Sequence, residues 1–394
     1  MSAPTLDRVA NHADIAELAD QVARVAEEHV VRCDRDAEFP VAALDELRRT
    51  RLLGLLVPTA DGGLGGTLAD VVDVGIRLGR VDMSLAMIFT MHCQQVEALV
   101  RHAREPLRAD LLARVGAGRV YVASVTTEAG KGGHLLSAES ALRDDGDMLA
   151  IDRFAPIVTG GAHADGFLIT MRSGDAGSPN QVSLVYADRA DLTASCSGDW
   201  DPAGMRASHS LPLKLVGSVP AHNVVGEPGA FAEISKATFA PMAHLGWSAA
   251  WLGTAAGALS RVLRLLRSPQ GRGKFDLGSE LLLTRLSGAR QRLDGVHALL
   301  RRAEEVASTV PDLSAPNVQL LLNALKITAS QQCHAAVDDL VEAVGLKHGY
   351  LKDSPTRLEM ALRDLRSAPL NYSNDRLHLA DGRLALLDPE VRLV

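Results

Sequence analysis

The sequence predicts an α+β fold that is mostly α-helical. Apolar residues recur at helical spacing before residue 120 and after residue 230, whereas short runs rich in Val, Ile and Leu concentrate between these two parts. Turns that contain Gly and Pro separate the segments. We therefore predict an N-terminal helical domain (1–119), a small central β-barrel or sheet domain (120–230) and a C-terminal helical bundle (231–394).

The composition excludes several classes of protein. The chain has 394 residues and a formal net charge of −7, with charges of both signs interspersed, so no basic stripe indicates nucleic-acid binding. The four cysteines have neither CxxC nor Cys/His metal spacing, which predicts reduced thiols with no disulfide and no zinc site. The N-terminus lacks a secretory pattern, and no run approaches the roughly 18 apolar residues of a membrane span. We expect a cytoplasmic protein.

The N-terminal domain is predicted to contain amphipathic helices at Ala13–Arg35, Val41–Thr50 and Val81–His102. Residues 70–117 should hold two helices, one of which is Val81–His102. The glycine-rich stretch 62–66 matches neither phosphate-binding glycine pattern, so we interpret it as a loop between helices. His92 lies on the Met-rich helix, where a lone histidine is typically a satisfied core residue. It becomes a candidate for chemistry if its helix faces the β domain.

The central domain is predicted from five apolar runs with strand character: Val120–Val125, Met148–Ile151, Gly166–Met171, Gln181–Ala187 and Leu211–Val219. A Gly/Thr-rich loop (126–134) follows the first run, and Thr159-Gly160-Gly161 forms a second polar turn. Backbone N–H groups and hydroxyls converge at such loops while helices cover them. These strand edges are therefore the expected place for a bound planar cofactor.

Apolar residues again recur at helical spacing in the C-terminal domain. We predict Phe231–Leu266 as one long helix or two abutting helices, followed by Glu280–Thr309 and Ala315–Val344. Gly345 is suited to end the last of these because glycine commonly follows a helix C-terminus. Long amphipathic helices joined by short Gly- and Pro-containing breaks are typical of a bundle.

Five segments, in order, resemble those of the acyl-CoA dehydrogenases: FPVAALDELRRTRLLGLLVPTADGGLGG, VTTEAGKGGH, RFAPIVTGGAHADGFLI, GMRASHS and VPAHNVVGEPG. The resemblance extends from about Phe39 to Leu377. It implies a flavoprotein with a helical domain, a β domain and a C-terminal four-helix bundle. It also implies FAD as cofactor, with FMN as the alternative. The family builds its flavin site across subunits, so the resemblance further implies a homo-oligomer, usually a dimer of dimers.

The resemblance assigns cofactor contacts to residues of the two polar loops. Thr127 matches the threonine that reaches the flavin from the first loop, and Thr159 matches the threonine near flavin N5. Ser124, Val125 and Thr126 are expected to contribute backbone contacts. At Gly133 and Ile157 this sequence has a different residue from the family. Ile157 stands where the family has an aromatic residue that faces the flavin, and Gly133 stands where it has a loop serine.

A second group of residues resembles the part of the family that binds the dinucleotide. Arg272 and Phe275 match a segment whose arginine crosses to the pyrophosphate of the neighbouring subunit, a role that suits a forked cation. Gly349 belongs to a degenerate version of the glycine segment that wraps the adenine end. Asp276 and Leu283 depart from the family pattern, which keeps FMN open as an alternative to FAD.

The usual catalytic carboxylate is missing from both places where the resemblance implies it. Tyr372 stands where most members carry the glutamate, and Gly246 stands at the position that some members use instead, with His244 nearby. Whole-chain similarity puts α,β-dehydrogenation of an acyl thioester first, on a CoA or carrier-protein substrate. The Cα proton would then need a relocated base, namely His92, His244 or a carboxylate such as Asp375.

The missing glutamate favours a different reaction class, a flavin monooxygenase that uses C4a-hydroperoxide chemistry on a small aromatic, amine or sulfur substrate. That chemistry needs a dry cavity and hydrogen-bond donors, for which His92, Asn371, Tyr372 and Ser373 are suitable types. A flavin-binding protein with a degenerate site is the third alternative. The expected partners are a small-molecule or acyl-thioester substrate and either an electron acceptor or oxygen.

Overall fold

The computed structural model describes residues 11–130, 134–174, 178–388 and 390–394. Helices lie at both ends of the chain and the strands lie between them, so the predicted class, α+β and mostly helical, is confirmed. No helix in these described ranges is long and apolar enough to cross a membrane. Their His, Cys, Asp and Glu residues form no group of three that could hold a metal ion.

The N-terminal part contains five helices in the described residues: α1 (His12–Asp36), α2 (Val41–Arg49), α3 (Leu68–Gly79), α4 (Met83–His102) and α5 (Leu107–Gly116). Asn11 and Thr67 begin α1 and α3 with capping boxes, in which the side chain accepts from the third helical N–H. Asp82 accepts the N–H groups of Ser84 and Leu85 at the start of α4. Residues 70–117 were expected to hold two helices, but the structure has a third. Helix α4 ends at His102, and α5 begins after Pro106.

The central part folds into two four-stranded sheets. The strands are β1 (Val122–Val125), β2 (Arg143–Asp145), β3 (Met148–Ala155), β4 (Gly166–Arg172), β5 (Val182–Asp188), β6 (Leu192–Cys196), β7 (Leu213–Pro220) and β8 (Val224–Val225). The sheet orders are β1-β4-β5-β8 and β2-β3-β7-β6. Strand β1 pairs in parallel with β4 until Val125 lies opposite Ile169, and the chain then leaves the sheet as the first polar loop.

The C-terminal part is helical again, with α6 (Phe231–Ile234), α7 (Ala240–Arg267), α8 (Pro269–Arg272), α9 (Glu280–Thr309), α10 (Pro316–Gly349), α11 (Leu358–Leu365) and α12 (Asn374–Ala385). A π-helical turn at Ser235–Phe239 joins α6 to α7. Helix α7 is apolar and buried for most of its length because it packs against α3, α4, α9 and α10. The backbone leaves the helical conformation at Gly345, with a φ of +69°, so the first and longer part of α10 ends where it was predicted to end and a short second part continues to Gly349.

Arginines from the β domain and the bundle converge on the C-terminal half of α1. Arg206 donates from Nε to the carbonyl oxygen of Asp34 at 2.7 Å. Arg363 of α11 pairs with the Asp34 carboxylate at 2.6 Å, and Arg357 pairs with Glu27 at 2.9 Å. The three parts of the chain are therefore joined at one end of the first helix.

Candidate functional site

The two polar loops meet through one threonine hydroxyl. Thr127 Oγ1 donates to the carbonyl oxygen of Ile157 at 2.8 Å and accepts from the Ile157 N–H at 3.3 Å. A single hydroxyl thus bridges the loop after β1 and the loop after β3, although 30 residues separate them. The structure therefore brings together the two segments that the sequence motifs assigned to the flavin.

The floor of this junction comes from β1. Ser124 and Val125 are buried, and they are the last two residues of β1 that pair with β4. Thr170 Oγ1 donates to the Val125 carbonyl at 3.4 Å. Thr126 is half-buried where the chain leaves the sheet. These residues lie beside Thr127, as the motif requires. Gly133, the other predicted contact of this loop, lies outside the described residues.

The second loop presents an apolar side chain beside a row of hydroxyls. The Ile157 side chain is 51% exposed. Thr159 Oγ1 shares a hydrogen bond with Ser210 Oγ at 3.1 Å, and Ser210 shares another with Ser208 at 2.9 Å. The Tyr121 hydroxyl donates to the Thr159 carbonyl at 3.2 Å and fixes the loop from below.

A buried ion pair that sequence reasoning missed organises the first loop. Arg153 Nη1 lies 2.8 Å from Glu128 Oε1, with side chains that are 0% and 6% exposed. Arg153 also donates to the Thr127 carbonyl at 2.7 Å, and Glu128 accepts from the Ser140 N–H at 2.8 Å. The sequence did carry a signal, because positions 149, 151, 153 and 155 of β3 alternate inward and Arg153 therefore falls on the buried face.

The residues assigned to the dinucleotide lie on the bundle. Arg272 is exposed at the end of α8, and the Phe275 ring packs 6.0 Å from the His348 ring next to Gly349. A β-carbon at Gly349 would come within 2.7 Å of the Val341 carbonyl oxygen, so that position requires glycine. The structure joins these two segments to each other, on the helical part of the chain and apart from the two loops.

The surroundings of His92 indicate a structural role. The residue is fully buried, its Nε2 lies 2.8 Å from the Leu53 carbonyl, and its Nδ1 accepts the Val122 N–H at 3.0 Å. Burial lowers the pKa of His92 to about 4, so the ring is neutral. With both nitrogens bound to backbone, His92 has no nitrogen left for a substrate. It connects α4 to β1 and is not carried into the proposed chemistry.

His244 lies in a row of rings on the inner face of α7. Its ring is 6.2 Å from that of Trp247, which is 6.4 Å from that of Trp251. Burial, and then the charge of Lys326, lower the pKa of His244 to about 4. His244 Nδ1, Ser248 Oγ and the indole nitrogens of both tryptophans are buried with no hydrogen-bond partner in the described structure. His244 is thus a neutral, buried ring that would be a poor base at neutral pH.

Residue 246, the second position expected from the resemblance to carry a carboxylate, has no space for a side chain. A β-carbon added at Gly246 would lie 2.7 Å from Thr90 Cβ, because α7 and α4 are in close contact at this point. Thr90 itself is buried and donates to the Ala86 carbonyl at 2.9 Å. A glutamate at residue 246 therefore has no room unless Thr90 changes as well.

The turn between α11 and α12 carries the remaining predicted residues. Tyr372 is 39% exposed and adopts the left-handed conformation with a φ of +56°. Asn371 Nδ2 is 3.9 Å from Met205 Sδ, and the Met205 N–H donates to Asp364 at 2.6 Å. Asp375 is exposed at the start of α12. The turn therefore packs on the GMR segment of the β domain.

Asp364 is the buried carboxyl at the base of this turn. Burial raises its pKa to about 8, and the hydrogen bond from Met205 only partly offsets the effect. Opposite the turn, Lys326 of α10 donates to the Tyr372 carbonyl and to Asn374 Oδ1, each at 2.7 Å. Neither residue was predicted to belong to the site. Lys326 falls on the apolar stripe of α10, four residues after Leu322, and this position marks it as buried.

Two family models match the chain. Residues 12–119 match the acyl-CoA dehydrogenase N-terminal domain, and residues 238–370 match the acyl-CoA dehydrogenase C-terminal domain. Both matches are to helical parts of the molecule, and the two polar loops lie between them. The models therefore identify the family independently of the flavin motifs.

Individual relatives fall into different reaction classes. The amino sugar nitrososynthase DnmZ of Streptomyces peucetius is 26% identical over 378 residues, covering 89% of this chain and 88% of that protein. Cyclohex-1-ene-1-carbonyl-CoA dehydrogenase of Syntrophus aciditrophicus (strain SB) is 24% identical over 360 residues, covering 90% and 85%. FMN-bound TdsC from Paenibacillus sp. A11-2, a dibenzothiophene monooxygenase, superposes with a TM-score of 0.85 at 20% identity, covering 96% of this chain and 98% of that chain.

Proposed function

Because this chain belongs to the acyl-CoA dehydrogenase family, as its motifs predicted, we propose that it is a flavin-dependent monooxygenase built on that fold. The observation that carries the proposal is the pair of positions expected to hold a carboxylate. Tyr372 occupies one of them, and Gly246 occupies the other under the Thr90 side chain. Proton abstraction from a thioester needs such a group, whereas oxygen transfer does not. The similarity to a nitrososynthase and to a dibenzothiophene monooxygenase supports the same choice.

The two loops have the surface that a flavin ring needs. The exposed Ile157 side chain offers an apolar plate, and Thr127 and Thr159 lie on the loops at either side of it. Thr159, Ser210 and Ser208 bring three hydroxyl hydrogens to the two hydrogen bonds within their row. One hydrogen therefore remains to donate to a ligand. An apolar surface edged by donors fits the ring, and FAD and FMN both remain consistent with these residues.

When bound, flavin supplies the two-electron chemistry that activates oxygen. The chain has to position the substrate and keep the site dry. In the proposal, Tyr372 and Asn371 provide the polar groups of the turn that faces the β domain, and the packing of α4 against α7 closes the opposite side. The proposed substrates are small molecules with an amine nitrogen, a sulfur atom or an aromatic ring to be oxygenated. Oxygen is the acceptor, and reduced flavin or its reductant comes from a partner.

Dehydrogenation of an acyl thioester is the second candidate. The observation in its favour is Asp364, a carboxyl whose pKa is raised to about 8 at the base of the turn, since a general base must have a pKa near the working pH. The observation against it is that Asp364 already accepts a hydrogen bond from the Met205 N–H. The similarity to a CoA dehydrogenase keeps this candidate in the comparison.

One pair of measurements separates the two candidates. Oxidised, flavin-loaded protein is mixed without oxygen with a panel of acyl thioesters, and the flavin absorption band is followed. Chemically reduced protein is then exposed to oxygen with a panel of amines, sulfides and indoles, and products are analysed by mass for one added oxygen atom. The proposal expects no bleaching in the first experiment and an oxygenated product in the second. Bleaching by a thioester without oxygenated products would reverse the assignment.

We also propose that the protein is a homo-oligomer. Large apolar side chains are exposed where the bundle carries the residues assigned to the dinucleotide, at Leu277, Leu281, Leu283, Leu346 and Tyr350. Exposed apolar groups gathered in one region are typical of an interface. Light scattering should give at least twice the mass of the 41.8 kDa protomer, and a monomer at micromolar concentration would contradict the proposal.

A further inference from the structure

Lys326 is a charged side chain enclosed in the helical core. The residue is 0% exposed, and its Nζ donates to the Tyr372 carbonyl and to Asn374 Oδ1, each at 2.7 Å. The same nitrogen lies 5.7 Å from the centre of the Trp251 ring. Helices α7 and α12 thus surround an ammonium group that α10 supplies.

None of these three contacts is a carboxylate. Polar groups on the elements packed around Lys326 include His244 on α7, which is neutral, and Ser330 on α10, which accepts from Asn374. Asp381 of α12 is bonded to Asn323 at 2.6 Å, one turn earlier on α10. Burial lowers the pKa of Lys326 to about 7, as expected for an ammonium without a counter-charge. Such a group disfavours folding relative to an apolar side chain of the same size.

The groups that Lys326 binds lie on either side of Ser373. Tyr372 is a non-glycine residue in the left-handed region, which an aromatic side chain rarely adopts without outside support. Its carbonyl is one acceptor for Lys326. Asn374 is fixed from both ends of its amide, because Oδ1 accepts from Lys326 and Nδ2 donates to Ser330 Oγ at 3.0 Å.

We propose that Lys326 is a positioning residue, which holds the backbone of Tyr372 in its left-handed conformation and so sets the direction of the side chains on the turn at 366–373. The inference rests on the proposed function, since this turn carries Tyr372 and Asn371, the polar groups assigned to the substrate. It explains why a chain would keep a buried cation that does not help it to fold.

The conformational half of the inference is tested without any substrate. The sequence has four tyrosines, so incorporation of 3-fluorotyrosine gives four fluorine resonances, and Tyr372→Phe identifies the one that belongs to residue 372. Lys326→Met should shift or broaden that resonance and leave those of the buried Tyr121 and Tyr186 in place. Lys352→Met, at an exposed lysine, is the control. A Tyr372 resonance that is unmoved in Lys326→Met overturns the inference.

The functional half uses the substrate that the oxygen-dependent panel identifies. Lys326→Met should lower kcat about 10- to 100-fold, the usual loss from misplacing a working group by about 1 Å, with a smaller effect on KM. Asn374→Asp supplies the missing counter-charge and should move the alkaline limb of the pH–kcat profile to higher pH. If Lys326 only stabilises the fold, the alkaline limb will lie at the same pH in Asn374→Asp as in the wild type. That result would overturn the positioning role. If no substrate is oxygenated, the proposed function fails, and the fluorine spectrum still decides whether Lys326 holds the turn.

Discussion

Replacing Arg153 by methionine should loosen the loop at Thr127, which we propose binds flavin, more than any surface change nearby. Arg153 holds Glu128 and the Thr127 carbonyl at once, in a position without solvent contact. Methionine fills a similar volume, so the variant removes the charge and its donors and leaves little cavity. Glu128 then loses its contact with the guanidinium but keeps its hydrogen bonds from the Glu139 and Ser140 N–H groups and from the Ser140 hydroxyl.

The expected size follows from two contributions. Removing one partner of a buried ion pair destabilises a protein by up to about 3–5 kcal/mol. Thr127 and Glu128 also lose one of their contacts each, and ordering a residue's backbone costs about 1–2 kcal/mol when a ligand has to do it. For these two residues that amounts to about 2–4 kcal/mol, so flavin should bind at least tenfold more weakly, at about 1.4 kcal/mol per factor of ten.

The assay combines urea unfolding with a flavin fluorescence titration, on a double-mutant cycle with Glu128→Gln. The double variant removes both charges of the Arg153–Glu128 pair, so it should be more stable than the sum of the single effects by about 1–3 kcal/mol. Lys214→Met is the matched control. Lys214 pairs with Asp152 next to Arg153, but their side chains are 42% and 60% exposed, so the change should cost under about 1 kcal/mol and leave flavin affinity unaltered.

Two results would refute the reasoning. If Arg153→Met cost no more than the Lys214 control, the buried pair would not be holding the loop. If the variant lost stability but bound flavin as tightly as before, the loop at Thr127 would not be the flavin loop. The second result would also remove the main structural support for the cofactor.

Three further predictions concern single side chains. Thr159→Val should weaken flavin binding by about 0.5–1.5 kcal/mol, the net contribution of one hydrogen bond, and Thr127→Val should weaken it because the hydroxyl that joins the two loops at Ile157 is lost; unchanged dissociation constants in both would contradict the assignment. Arg272→Ala should weaken FAD more than FMN, as measured by competitive retention of the two, and equal retention would mean that no adenine half is bound. The pKa of Lys326 lies at about 7, below its ordinary 10.5, so between these values the unfolded chain holds one more proton than the folded chain. Unfolding free energy should therefore rise from about pH 7 to about pH 9 more steeply in the wild type than in Lys326→Met, and parallel urea midpoints would contradict this.

The helices could be predicted closely from sequence because their signals are local. Glu280–Thr309 was predicted with the bounds that the structure has, since Ser279 caps its start and Pro311 follows its end. The strand at Leu192–Cys196 was missed for the opposite reason. It is largely exposed and only its pairing with the strand at Leu213–Pro220 makes it extended, and such pairing is tertiary information.

The residues of the site also fall into two groups, those that could be predicted from the sequence and those that could not. Motif order was enough to place Thr127, Ile157 and Thr159 on adjoining loops, because these residues lie at fixed spacing from strand ends. Arg153 and Lys326 were missed since each is a charge in an apolar pattern, and such a charge is by default assigned to solvent. Their partners lie 26 residues away for the Arg153–Thr127 contact and 46 residues away for the Lys326–Tyr372 contact. Spacing along the sequence gives no hint of either pairing.

The junction at the end of the first helix has a consequence for engineering this chain. Arg206 binds the main-chain carbonyl of residue 34, which any residue supplies, whereas Arg363 of the bundle binds the Asp34 carboxylate. A segment exchange with a relative at residue 119 would therefore put the Asp34–Arg363 pair at risk, and these two residues should be transferred together. Grafts confined to the turn between the last two helices leave this pair intact, and they are the safer route to new substrate scope.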